Sequence, residues 1–96
     1  MQYIFLKSFL KKFDAYASKE QQAVTQTVEE ILHYLGSSTA SYGLRIKKLS
    51  SKIYEARINI HLRILFYVDQ GLVKFFALGN HDDIRRILKT LKDRDI

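Results

Sequence analysis

YEARINIHLRILFYV, residues 54–68, contains two alternating runs separated by a short polar break. In the first, Tyr54, Ala56 and Ile58 alternate with Glu55, Arg57 and Asn59. In the second, Leu62, Ile64, Phe66 and Val68 alternate with Arg63, Leu65 and Tyr67. A period of two belongs to a strand that buries one face. A turn centred on Ile60 joins the two runs into an antiparallel hairpin and lays Arg57 across from Arg63. Both arginines then share the face away from Tyr54, Ile58, Ile64 and Phe66. Like charges directly opposite each other destabilise a sheet. A bound phosphate offsets that repulsion, because the planar guanidinium fork matches phosphate oxygens. The plainer reading is a solvated basic face on which Glu55 neutralises one arginine, and on pattern alone it stands slightly ahead. Register decides: a slip of one residue sends one arginine to the other face.

The chain is readable outward from this hairpin. Downstream, Asp69-Gln70-Gly71 signals a turn and Leu72 to Leu78 a final strand. Ile84, Ile87, Leu88 and Leu91 form a helical stripe, with Arg85, Arg86, Lys89 and Lys92 on the opposite face. Upstream, Ser50-Ser51 is a turn. Leu44 and Ile46 alternate with Arg45 and Lys47 in a further strand, and residues 37–43 form a small-residue loop. Earlier still, Val24, Val28, Ile31 and Leu35 mark an amphipathic helix. Gly36 follows as its C′ residue, and Ser18 to Gln21 forms a capping box. Phe9, Phe13 and Tyr16 mark a shorter helix with Ser8 as N-cap, so residues 8–36 read as a helical hairpin. Tyr3 to Lys7 is an N-terminal strand. The order is strand, two helices, four strands, helix. It predicts a single α+β domain over residues 1–96: a curved antiparallel sheet of four to five strands with helices packed on it.

The composition narrows the function. Sixteen Lys or Arg against ten Asp or Glu give a net charge of +6, which suits a polyanion or an acidic protein as partner. There is no cysteine, which excludes disulfides and thiolate metal sites and is compatible with a reducing cytosol. The stretch MQYIFLKSFLKKF lacks a basic leader region and a small-residue cleavage site, so no signal peptide is expected. No apolar run approaches membrane-spanning length. There is no metal-binding cluster, glycine-rich phosphate loop or nucleophile motif, so neither metal nor cofactor is expected.

Arg45, Lys47 and Lys48, on the strand before the hairpin, extend the basic surface. Of the three histidines, His33 sits beside core positions of the long helix and reads as structural. His61 lies near the hairpin turn and reads as solvated. His81 ends the last strand just before a helix N-terminus, where backbone N–H groups favour anions. Asn80 is that helix's N-cap, with Asp83 three residues later. By spacing alone His81 is a loop residue at the shoulder of a cap.

GLRIKKL (43–49), IYEARI (53–58), LRILFYV (62–68) and LGNHDDIRRILK (78–89) together resemble the RelE/ParE superfamily of bacterial toxins, and most closely its RelE-like, mRNA-cleaving branch. The resemblance runs through nearly the whole chain in order. It implies a metal-independent, ribosome-dependent endoribonuclease that cuts mRNA in the ribosomal A site and is held inactive by a cognate antitoxin. It implies cytoplasmic residence, with the ribosome, mRNA and antitoxin as partners and no membrane. It matches Arg57 and Arg63 to phosphate-stabilising positions and His81 to a position suited to general acid duty. It assigns Lys47 and Lys48, with Arg45 and Arg85, to RNA or ribosome contact, and offers Glu55 as a base. One departure stands out. The family's C-terminal tyrosine, which stacks on an mRNA base, has no counterpart in Ile84-Arg85-Arg86-Ile87. A ParE-like gyrase inhibitor and an inactive, antitoxin-bound relic are the alternatives.

Overall fold

The computed structural model describes residues 2–37 and 45–93. Eight elements follow one another: β1 (Gln2–Phe5), α1 (Lys7–Asp14), α2 (Ser18–Ser37), β2 (Arg45–Lys48), β3 (Ile53–Arg57), β4 (Arg63–Asp69), β5 (Leu72–Gly79) and α3 (His81–Asp93). The expected loop at 37–43 and Leu44 fall, apart from Ser37, outside the described residues.

The five strands form one sheet in the order β1-β5-β4-β3-β2. Strands β2 to β5 are joined by short turns and pair antiparallel, as expected. At the β4–β5 turn, Gln70 and Gly71 both take positive φ, 49° and 77°, the backbone twist that tight hairpins prefer. At the β2–β3 turn Ser50 Oγ accepts a bond from the Ile53 N–H at 3.3 Å. Strand β1 departs from the all-antiparallel expectation. It pairs parallel to β5, Gln2 opposite Leu72 through Phe5 opposite Phe75. Two helices and three strands separate these two strands in sequence, so no tight turn dictates their relative direction.

Strand alternation builds two cores. On one face, Ala56, Ile64, Phe66, Val73, Phe75 and Leu78 meet Phe9 of α1 and Val24, Val28 and Ile31 of α2. On the other, Leu65 and Ala77 meet Ile84 of α3, with Ile87 and Leu88 packed alongside. The helical stripes read from spacing are therefore the faces that pack.

Helix ends depart from the sequence reading in three places. Leu6, not Ser8, caps α1. The Gln21 N–H reaches the Ala17 carbonyl, so Ser18 lies inside α2 and its capping box does not form. The Gln21 side chain donates back to the Phe13 carbonyl at 3.0 Å and closes the α1–α2 corner. Gly36 lies within α2, which runs to Ser37. His33 is exposed rather than structural. It follows the core residue Ile31 by two positions, about 200° around a helix.

Ser8 has another task. Strand β5 carries a bulge: Leu65 pairs with Ala77 but Phe66 pairs with Phe75, leaving Phe76 as an extra residue. Ser8 Oγ donates to the Phe76 carbonyl at 2.7 Å. The bulge matters for everything beyond it. Without the extra residue, Leu78 would fall opposite Arg63 and Gly79 would turn to the core side. With it, Leu78 stays buried in the core and Gly79 lies opposite Arg63.

Candidate functional site

Arg57 pairs directly with Arg63, as the turn at Ile60 predicts, and Arg45 pairs with Arg57 on the other side. Three arginines thus stand side by side in one row across β2, β3 and β4, with paired Cα atoms about 5 Å apart. Gly79 ends the row on β5. The next row toward the strand interior holds Lys47 opposite Glu55 and Glu55 opposite Leu65. All these positions share the sheet face that carries α3.

One carboxylate sits among the cations. Arg63 Nη1 donates to Glu55 Oε1 at 2.9 Å, and both side chains are largely buried, 16% and 13% exposed. This pair fixes Arg63 and partly balances the row. It leaves other donors open: among the described residues, Arg57 Nε and Arg63 Nε are buried without a hydrogen-bond partner. A buried donor left unsatisfied costs about 1–3 kcal/mol. Three guanidinium groups in one row, with Glu55 the carboxylate paired to one of them, give a local excess of positive charge that suits an anion.

Helix α3 begins two residues beyond Gly79. Its cap is reciprocal: the Asp83 N–H donates to Asn80 Oδ1 at 2.8 Å, and the Asn80 N–H donates to Asp83 Oδ2 at 3.0 Å. Lys12 of α1 and Arg86 also reach the Asp83 carboxylate, at 3.5 and 2.6 Å. The Asn80 N–H bond, aided by Lys12 and Arg86, holds the Asp83 carboxyl below its ordinary value of 3.8, against the opposing effect of its own burial. Gly79 is required here, since a Cβ would come within 2.6 Å of the Asp83 Cβ. His81 therefore occupies the first turn of a firmly capped helix and is solvent-exposed. It shares a helix flank with Arg85, four residues on. Among the described residues no hydrogen bond or ion pair joins His81 or Arg85 to the arginine row.

Lys48 does not join the set. Strand alternation puts it on the opposite face from Lys47, opposite Tyr54, where its Nζ lies 5.9 Å from the centre of the Tyr54 ring. The role of Lys12 was not visible in the sequence, because nothing local marks a lysine on α1 as a partner for a cap on α3. Among the described residues no group of three or more His, Asp or Glu stands close enough to hold a metal ion, and no helix is long and apolar enough to cross a membrane.

No family model matches the chain, and no curated protein matches it in sequence. Solved structures do resemble it. RelE in the RelB–RelE antitoxin–toxin complex of Methanococcus jannaschii matches with a TM-score of 0.67 at 20% identity, over 88% of this chain and 96% of that one. The YoeB dimer of Staphylococcus aureus matches at 0.59 and 16% identity, over 84% and 97%. The DinJ–YafQ complex of E. coli matches at 0.56 and 12%, over 84% and 93%. The fold of this chain is RelE-like.

Proposed function

We propose that this chain is the toxin of a type II toxin–antitoxin pair and cuts mRNA on the ribosome. The observation that carries the reading is the row Arg45–Arg57–Arg63, three guanidinium groups side by side on one sheet face with the Glu55 carboxylate paired to Arg63. The fold adds weight, because RelE and YafQ, which share it, were solved bound to RelB and DinJ. A cognate antitoxin is accordingly the expected protein partner, and the cytoplasm the expected location.

The ribose 2′-hydroxyl loses a proton and its oxygen bonds to the adjacent phosphorus. The bond from phosphorus to the 5′-oxygen breaks, and that oxygen takes a proton. A 2′,3′-cyclic phosphate and a 5′-hydroxyl result. Charge gathers on the phosphate oxygens in the transition state, and Arg57 and Arg63 stabilise it, best where water is scarce. Glu55 is the acceptor for the 2′-proton and also orients Arg63. His81 donates to the departing 5′-oxygen, as an exposed imidazole able to carry a proton on its ring nitrogen. The N-terminal end of α3 favours the same anion. Lys47, Arg45 and Arg85 hold the RNA backbone or ribosomal RNA.

The test uses ribosomes stalled on a defined mRNA, with purified protein and its His81→Ala variant, and primer extension to map cuts. A cut within the A-site codon that disappears in the variant supports both the activity and the histidine's role. A cut that survives removes His81 from the mechanism. No cut by folded, antitoxin-free protein rejects the ribonuclease reading in favour of gyrase inhibition or an inactive relic. Ile84, buried, and Ile87, packed on the α3 core, keep the relic reading in view, since neither supplies a stacking ring.

A further inference from the structure

Beside the arginine row, at the tip of the β3–β4 hairpin, lies a hollow of about 380 Å³ lined by Arg45, Arg57, Ile58, Asn59 and Ile60. Its apolar wall is unusual for an exposed tip: Ile60 is 73% exposed, more than any other large hydrophobic residue among those described. Its polar side has one chemical character. Asn59 Oδ1 accepts from the backbone N–H groups of His61 at 2.7 Å and Leu62 at 2.9 Å. Those two bonds fix the amide so that only its NH₂ end is left for a ligand. Arg45 and Arg57 carry donors alone. The side chains offer apolar walls, flat guanidinium groups and hydrogen-bond donors, with no acceptor.

We infer that this hollow is a nucleobase site, selective for the purine whose Hoogsteen edge presents two adjacent acceptors, which is guanine through O6 and N7. The inference rests on the arginine row handling RNA. Adenine presents its amino donor beside N7 and would set donor against donor. A second phosphate would leave the isoleucine walls without a partner. Ile58 and Ile60 take the base face, and Arg57 spans the phosphate row and the base site.

The test is a titration of isoleucine-methyl-labelled full chain, followed by NMR, with GMP, AMP and ribose 5-phosphate. GMP should shift the Ile58 and Ile60 signals and bind about five-fold or more tighter than AMP, the discrimination expected of one good donor pair. Ribose 5-phosphate should leave those signals in place. Equal affinity for all three, or shifts confined to other residues, overturns the base site and leaves a phosphate site only. Asn59→Asp keeps the acceptor that holds the turn and replaces the donor with an oxygen, so it should abolish the preference for GMP. An unchanged preference in that variant also overturns the proposal. Ribosome assays separate the two readings. Cleavage with the same base preference in wild type and Asn59→Asp sinks the base site but not the nuclease. Selective GMP binding without cleavage sinks the nuclease but not the site.

Discussion

The two faces of the sheet use the same strands for opposite ends. One face is closed: Phe66, Phe75, Ile64 and Leu78 lie under the α1–α2 hairpin, and almost every inward position is apolar. The other is half open. Helix α3 covers Leu65 and Ala77, while the far end of the same strands holds Arg45, Arg57, Arg63, Lys47 and Glu55. Period-two alternation makes this division possible. Stability is concentrated on one set of positions, so the other set is free to accumulate like charges that cost stability. The closed face carries the arginine row.

The largest effect should come from the closed face itself. Phe66 is fully buried against Phe75 and Tyr54, and Phe66→Ala should cost about 3–5 kcal/mol by urea unfolding. A cost below about 1 kcal/mol would mean that the closed face is not what holds the row. Next is the row. Arg63→Ala should slow ribosome-dependent cleavage by about 100-fold or more, the usual price of one transition-state donor. Because it strands Glu55, stability should fall by about 1–3 kcal/mol, and the double variant with Glu55→Gln should recover much of that without recovering cleavage. Restored cleavage would show that Arg63 serves only to neutralise Glu55 and that Glu55 is not the base.

Smaller effects belong to the hinge between the faces. Asp83→Ala should cost about 1 kcal/mol through the lost cap. The Asp83 carboxyl is held low in the folded protein, so its contribution is complete above the ordinary value of 3.8 and is lost as pH falls through the lower folded value. A wild-type acid-unfolding curve in that window that matches the variant's would remove Asp83 from the account. The smallest effect separates adjacent lysines. Lys47→Ala should reduce the salt slope of RNA binding by about one unit, and Lys48→Ala should leave it unchanged. Equal slopes would mean that the two faces are not distinct to RNA.

Much of this was legible in the alternation and spacing of single residues. The order of elements, the pairing of Arg57 with Arg63, the Asn80 cap and the packing stripes of α2 and α3 all follow from local pattern. What escaped was set by neighbours distant in sequence. The parallel seating of β1 depends on contacts some seventy residues away. The bulge at Phe76 interrupts no hydrophobic pattern, because phenylalanine suits either face. Ser8 looked like a cap because serine often is one, yet its hydroxyl is used by that bulge. Lys48 looked like part of a basic run, though the alternation that placed Lys47 on the site face already placed Lys48 on the other. The arrangement of the row is visible in register, whereas its part in catalysis rests on the ribosome experiment.

The pairing of β1 with β5 also sets an order of events during synthesis. Gln2 finds its partner only at Leu72, so β1 waits for β5, the last strand described. Long-range pairing of this kind is slow, because the closure entropy of the intervening chain is lost before any contact forms. The arginine row spans β2 to β4 and is bounded by Gly79, so it too is incomplete until β5 has emerged. The row therefore gains its Gly79 border and its flanking helix only after β2, β3 and β4 have all been made, which separates the assembly of the arginines from the completion of the site around them.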